Sequence, residues 1–376
     1  MAETRPELVQ STELVLKEIA GKQQRLMDAM AGAGVAAVHL HLTENITWLT
    51  AGRVDRRVLL PSSLGTASIL LRRDGDVLYL APDNEARRLA EEDYVGLPFI
   101  AVTRPWHAAV SEEDVRRLAG DGRVISDREP EGAALLARLR ATLLDSEIER
   151  YRWLCGQTAD VTSSVLHSLR PGGTERTMAA RVSAGLLERA IEPTVLLMGV
   201  DDRILRYKHA VTQNRTLERF GMLNLCARRW GLCVSITRFV HFGPLPQELA
   251  DAFSVAAEVN ARLLAATRAG ATAAELFATA AAAYAAHGHT GEELRHHQGG
   301  ATGYGEREWV ATPRGKERVE ESQAFAWNPS ISGGKVEDTV LLRGGRIEVL
   351  TTTPDLPVVS TEAGGVTYES AGVLLH

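Results

Sequence analysis

LRPGGTERTMAARV at residues 169–182 returns as TRAGATAAELFATA at residues 267–280, an offset of 98 residues. Each copy follows a long amphipathic helical stretch, turns at a Pro/Ala-Gly step and restarts at Thr174 or Thr272. In the second copy Thr272-x-x-Glu275 is a capping box, which marks a helix start. β-rich sequence follows each copy, over residues 222–240 and 322–350. A helix–turn–helix–strands unit used twice implies a pseudo-twofold α+β domain with helices packed on antiparallel sheet.

Upstream, Asp145 or Ser146 can cap the first long helix, and Glu147 and Glu149 lie in its first turn, where the helix dipole favours anions. That helix should run to Leu169 and stop at Arg170-Pro171-Gly172-Gly173. The sequence before it reads as a separate α/β unit. Leu16, Ile19, Leu26 and Met30 recur at helical spacing, and Gly32 and Gly34 end the run. Residues 35–42 read as a strand, and Asn45-Ile-Thr-Trp-Leu49 leads into Gly52. Residues 67–71 and 77–80 form a hairpin around Asp74-Gly75. The expected organisation is an α/β domain over residues 1–142 and the pseudo-twofold domain over 143–376.

Composition narrows the function. The 376 residues are 45% hydrophobic and 24% charged, with 42 Lys plus Arg against 48 Asp plus Glu and a net charge of −6. A mildly acidic chain with no basic run argues against nucleic acid or an anionic membrane as partner. Three cysteines make no disulfide framework, so a reducing compartment is expected. Cys226 and Cys233 lack CxxC spacing and read as small apolar core residues. The polar start MAETRPELVQST lacks the apolar stretch of a signal peptide, and no apolar run approaches the ~18 residues of a membrane span. With only 5 Lys among 42 basic residues, and abundant Ala, the chain reads as cytoplasmic and bacterial.

A domain of this layout behind a smaller α/β domain resembles the pitta-bread family of aminopeptidase P, prolidase, methionine aminopeptidase and creatinase. The resemblance covers nearly the whole chain. The metallopeptidases of this family hold two metal ions with two Asp, one His and two Glu. Their Asp pair lies in a strand hairpin, matched here by Asn224-Leu-Cys-Ala-Arg-Arg-Trp-Gly231-Leu-Cys-Val-Ser235-Ile-Thr237-Arg238. Gly231 and Thr237-Arg238 fall in register, which puts Asn224 and Ser235 at the two Asp positions. The His-x-x-Gly motif is matched by Gly300-Ala-Thr-Gly303, and the Glu-Pro motif by Asn328-Pro329. Glu337 alone keeps its carboxylate. By this resemblance the site is expected to be metal-free, since an amide, a hydroxyl and a bare glycine cannot replace anionic oxygens.

Creatinase, as the resemblance has it, breaks a C–N bond without metal and also carries Asn at the first Asp position. Its catalytic His lies in a segment similar to His209-Ala-Val-Thr-Gln-Asn-Arg215, and its late Glu, which binds a guanidino group, matches Glu337. Its second guanidinium-binding Glu falls at Thr237, which argues against creatine itself. His209 lies between Lys208 and a polar loop, suited to taking and returning a proton. Asn224, on an apolar strand, needs partners, either substrate or structural. Ser235 would need an adjacent base to act as a nucleophile. Arg307, through its planar fork, and Glu308 could hold polar groups of a substrate. Arg238 reads as a structural ion-pair residue, and Asp338 as a cap or salt-bridge partner.

Adjacent His296 and His297 should point apart on a strand, so that one lines the cleft and a shared metal is unfavourable. Gly299-Gly300 lacks a surrounding βαβ unit and reads as a place where backbone approaches a ligand or a neighbouring strand rather than as a dinucleotide loop. His39-x-His41 and His287-x-His289 read as structural or surface pairs. In creatinase-like dimers the partner's first domain covers the cleft and lends an Arg, for which Arg53, Arg56 and Arg57 are candidates.

The expected catalytic set is His209, Glu337, Asn224 and Ser235. The expected substrate-binding set is Arg307, Glu308, Asn328, His297 and Arg53, with no metal and no cofactor. The function implied is a metal-independent, creatinase-like enzyme acting on a small, polar, carboxylate-bearing molecule and hydrolysing an amide, amidine or guanidino C–N bond, in a homodimer. A lyase, dehydratase or isomerase on the same fold is one alternative, and an inactive binding protein is another. A residual metal held by Glu337, Asp338 and one of His296–His297 is a third.

Overall fold

A computed structural model describes residues 12–55, 57–108 and 110–376. The polar start over residues 1–11 and Arg56 lie outside the described residues. The chain divides into two compact units, one of residues 1–141 and 145–150, the other of residues 142–144 and 151–376.

In the first unit the helix Thr12–Ala33 buries Val15, Ile19, Leu26 and Met30, a stripe at helical spacing, and gives way at Gly34, whose φ is +65°. Five strands follow: β1 (Ala37–Leu42), β2 (Leu64–Arg72), β3 (Val77–Pro82), β4 (Ile100–Arg104) and β5 (Val124–Ser126). They form one mixed sheet in the order β4-β3-β2-β1-β5. The hairpin read around Asp74-Gly75 is the antiparallel β2–β3 pair, with Gly75 at φ +95°. Residues 43–49 form a short helix.

The second unit carries the repeat. Its first half runs from the helix Asp145–Ser168, of which residues 151–168 belong to this unit, to the helix Glu175–Glu188, then β6 (Glu192–Val200), β7 (Phe220–Arg229) and β8 (Leu232–His241). Its second half pairs the helices Gln247–Ala266 and Ala273–Ala286 with β9 (Gly299–Thr302), β10 (Trp309–Val310), β11 (Gln323–Trp327), β12 (Ser330–Ile331), β13 (Gly334–Lys335), β14 (Asp338–Arg343) and β15 (Arg346–Val349). β16 (Val358–Ala363), β17 (Val366–Ala371) and β18 (Val373–Leu375) complete it. Thr174 Oγ1 accepts from the Thr177 amide, and Thr272 makes the full capping box with Glu275.

The two turns repeat bond for bond. The Leu217 amide donates to Gly173 O (2.8 Å) and the Val319 amide to Ala271 O (2.9 Å), while the Gly172 and Gly270 amides donate back to Leu217 O and Val319 O, both at 2.9 Å. Leu276, Tyr284, Phe325, Trp327 and Val340 form an apolar core within the second half, and Phe253 of its first helix packs with Phe220 and Phe239 of the first half in another.

The sheets are ordered β18-β8-β7-β6 and β10-β9-β11-β14-β15. They join where β8 meets the residues leading into β14. Thr237 and Glu337 form an antiparallel bridge, the Ser235 amide donates to Thr339 Oγ1 (2.9 Å), and that hydroxyl donates to Ser235 O (3.0 Å). No helix among the described residues is long and apolar enough to cross a membrane.

Candidate functional site

The β7–β8 hairpin positions the first of two polar clusters. Arg229 pairs with Leu232, leaving Trp230-Gly231 as a two-residue turn with φ +54° and +79°. Both positive values suit the primed turns that match strand twist, and Gly231 adopts its value without a Cβ penalty. Trp230 is held there by packing: the Arg229 guanidinium lies 4.3 Å from its ring centre and 4.4 Å from that of Trp153. This turn sets the register that places Asn224 opposite Thr237 and Cys226 opposite Ser235.

Asn224, Ser235, Thr237 and Glu337 are all buried, and the fold brings them together. Asn224 Nδ2 donates to Thr237 Oγ1 (2.6 Å) and Glu337 Oε2 (2.7 Å), and Thr237 Oγ1 donates to the same carboxylate oxygen (2.5 Å). Lys335 Nζ, two residues along the same segment, lies 3.0 Å from Oε2. Arg307 reaches Oε1 at 3.4 Å and donates to Ser235 Oγ at 3.1 Å. Burial alone would raise the Glu337 pKa, but Lys335, Arg307 and the hydroxyl of Thr237 outweigh it and bring the value down to about 2. Glu337 is therefore a fixed anion near neutrality. The cationic group expected beside it from a substrate is supplied by the protein.

Ser235 Oγ also lies 3.2 Å from Cys226 Sγ, whose thiol burial pushes up to about 12. Neither the guanidinium nor that protonated thiol can act as the base that a serine nucleophile needs. The pair Arg238–Asp338, at 2.7 Å, is a buried structural ion pair, as expected.

A second cluster is made of imidazoles. His209 follows the short helix Asp202–Arg206, and its neighbour Lys208 is anchored to Glu292 (2.5 Å) and Ser330 O (2.8 Å). His296 and His297 lie in the loop that enters β9, not on a strand, and their rings stack with centres 4.4 Å apart instead of pointing apart. His296 Nε2 is 3.0 Å from His209 Nε2, so one of the two nitrogens carries the hydrogen and the other accepts it. Partial burial, then Lys335, lowers the His209 pKa against the opposing pull of Glu337. Burial and neighbouring cations bring His296 to about 3 and His297 to about 4. All three imidazoles are thus favoured in their neutral form, and all three sense the charges of Glu337 and Lys335.

The remaining expected residues divide. Asn328 is buried, and its Oδ1 has no hydrogen-bond partner among the described residues; the same holds for Arg307 Nε and His296 Nδ1. These three atoms are the unmet polar capacity around the two clusters. Glu308, expected to hold substrate, instead braces its own loop: Oε1 accepts from the Tyr304 and Gly305 amides at 3.1 and 3.0 Å. Carboxylate oxygens are the natural partners of amides left bare by a Gly-rich turn. Gly300 is a close approach of neighbouring strands, since a Cβ there would lie 2.1 Å from Trp309 O. Arg53, in the first unit, donates to Val95 O at 3.3 Å. Lys335, the bonding of Thr237 to Glu337, and the pairing of His296 with His209 were not read from the sequence. Strand alternation was the available signal for Lys335, because residues two apart share a face.

A family model described as metallopeptidase family M24 matches residues 149–351, more than half of the chain. Among solved structures the chain is similar to an Xaa-Pro dipeptidase from Bacillus anthracis, at 16% identity and TM-score 0.70, covering 95% of this chain and 100% of that one. It is similar to the dipeptidase PepE from Mycobacterium ulcerans at 18% identity and TM-score 0.73, covering 90% and 97%. It is also similar to the N-terminal domain of the FACT complex subunit SPT16 from chickpea, at 11% identity and TM-score 0.62, covering 89% and 96%. At these identities the likeness is one of fold. A search of curated proteins finds no match.

Proposed function

The chain belongs to metallopeptidase family M24, a family of hydrolases, and on that premise we propose that it hydrolyses a C–N bond of a small, polar, carboxylate-bearing molecule in a creatinase-like reaction that needs no metal. The observation that carries this reading is the ion cluster of Lys335, Glu337 and Arg307. The family's two metal ions call for several anionic oxygens. Asn224, Ser235, Gly300 and Asn328 supply none at the matching positions, and the one carboxylate already has two cations beside it. That donor set does not fit a pair of hard divalent ions.

His209 is the group suited to move the proton. Neutral near pH 7, it accepts a proton from water as the oxygen attacks the substrate carbon; the C–O bond forms, the C–N bond breaks, and the imidazolium returns the proton to the leaving nitrogen. Arg307, with a buried Nε unpaired, can grip the substrate carboxylate through its fork. Asn328 Oδ1 can accept from an amide, amidine or guanidino N–H, while Asn224 and Ser235 shape the wall and His297 lines the approach.

The test is turnover on a panel of small amides, amidines and guanidino acids, before and after dialysis against chelator. The expected result is activity that survives dialysis and is lost in His209→Ala. Activity that appears only when metal is added back overturns the reading. Saturable binding of panel members with no turnover would instead assign the chain to the non-catalytic binders.

A further inference from the structure

The imidazole cluster has a capacity the hydrolytic reading does not use. His209, His296 and His297 each offer a ring nitrogen, and the three nitrogens lie within 4.8 Å of one another. A four-coordinate zinc-type site takes nitrogen ligands at about 2.0–2.1 Å from the ion, which sets them roughly 3.4 Å apart around it. His209 Nε2 and His296 Nε2, at 3.0 Å, already meet that spacing closely. His297 is exposed and can close the remaining distance by side-chain rotation.

The backbone behind the cluster is held in place. Gln298 donates to His296 O (2.6 Å) and accepts from Tyr284 Oη (2.8 Å), while Gly299, at φ +99°, packs so closely on Ala326 O that a Cβ would sit 2.0 Å from it. His209 and His297 are exposed, so the cluster is open to solvent. Three imidazoles without a carboxylate select zinc, copper or nickel over magnesium, calcium or manganese. Glu337 cannot join them freely, because its Oε2 already meets Asn224, Thr237 and Lys335.

We propose that His209, His296 and His297 bind one divalent ion of the zinc class, distinct from the family's carboxylate-held pair, and that this ion reversibly withdraws His209 from proton transfer. The binding half stands on geometry. The inhibitory half rests on the role given to His209 above, since a nitrogen that ligates a metal cannot take a proton. Lys335 and Arg307, whose charges reach the cluster, oppose a dication and keep the site exchangeable.

The experiment uses the untagged full chain after chelator dialysis, titrated with Co2+ by visible absorption and with Zn2+ by thermal shift. One ion per chain is expected, with affinity weakened about tenfold or more in His296→Ala and in His297→Ala and unchanged in His287→Ala, a histidine outside the cluster. No binding, or binding indifferent to the cluster substitutions, overturns the site. Binding lost only in Glu337→Gln also overturns it, in favour of a carboxylate-held ion. Zinc should then slow turnover reversibly in the wild-type chain. Binding without any slowing overturns the inhibitory half alone, and leaves the site standing while removing His209 as the base.

Discussion

Lys335 Nζ lies 3.0 Å from Glu337 Oε2, so the buried carboxylate has its counter-ion two residues away along the chain. Removing one member of a buried pair leaves the other uncompensated, which typically costs about 3–5 kcal/mol. Glu337→Gln should therefore unfold at markedly lower urea concentration than the wild type. Adding Lys335→Met to it should restore part of the loss, because the stranded ammonium is gone. A double variant less stable than Glu337→Gln would refute the coupling.

The pH dependence of turnover reads the same pair through His209. With its neutral form as the proposed base, the rate should rise with pH through a midpoint below the ordinary imidazole value of about 6.5 and then level off. Lys335 depresses that midpoint and Glu337 opposes it. Lys335→Met should move the midpoint up and Glu337→Gln should move it down, whatever either does to the maximal rate. His209→Ala should lower the rate by about 10²–10⁴-fold.

Acid stability gives an independent readout. His296 and His297, held to about 3 and about 4 in the folded chain, titrate near 6.5 when unfolded. As pH falls below 6.5 the unfolded chain takes up protons that the folded chain refuses, so stability is full above that value and is lost progressively toward the folded pKa values. Glu337, depressed to about 2, adds its own loss only below its ordinary value near 4.5. Melting curves between pH 7.5 and 4.5 should therefore slope downward, and His296→Gln should flatten the slope. An equal slope in the variant would mean that His296 is not held neutral.

The two repeat copies predict matched cap effects. Thr174→Ala and Thr272→Ala should each cost about 1 kcal/mol of stability. The second should cost at least as much as the first, because it also breaks the reciprocal Glu275 bonds. Chemical denaturation of the two variants checks both the size and the order.

The repeat was legible because caps and turns are local: Thr174, Thr272 and the glycines beside them announce helix starts without tertiary information. The Asn224–Ser235 spacing was legible because a two-residue turn leaves the register no freedom. Lys335 was not, because a lysine before a carboxylate on a strand is ordinary in sequence and becomes decisive only when both are buried. The stacking of His296 on His297 was hidden for a different reason. Side chains alternate on a strand, but residues 296–297 precede β9 in a loop braced by Gln298, and a loop can turn neighbouring rings the same way. The hold of Glu308 on the Tyr304 and Gly305 amides was not legible, because sequence does not show which backbone amides a Gly-rich turn leaves bare.

Gly300 leaves no room for a side chain between β9 and β10. Trp309 O occupies the volume from which a ligating side chain would branch, so β10 would have to part from β9 before any imidazole could regrow there. The loop joining those strands carries Arg307. A side chain at residue 300 and the present course of that loop are thus rival uses of a single piece of backbone, and no single substitution at Gly300 can be made without moving both.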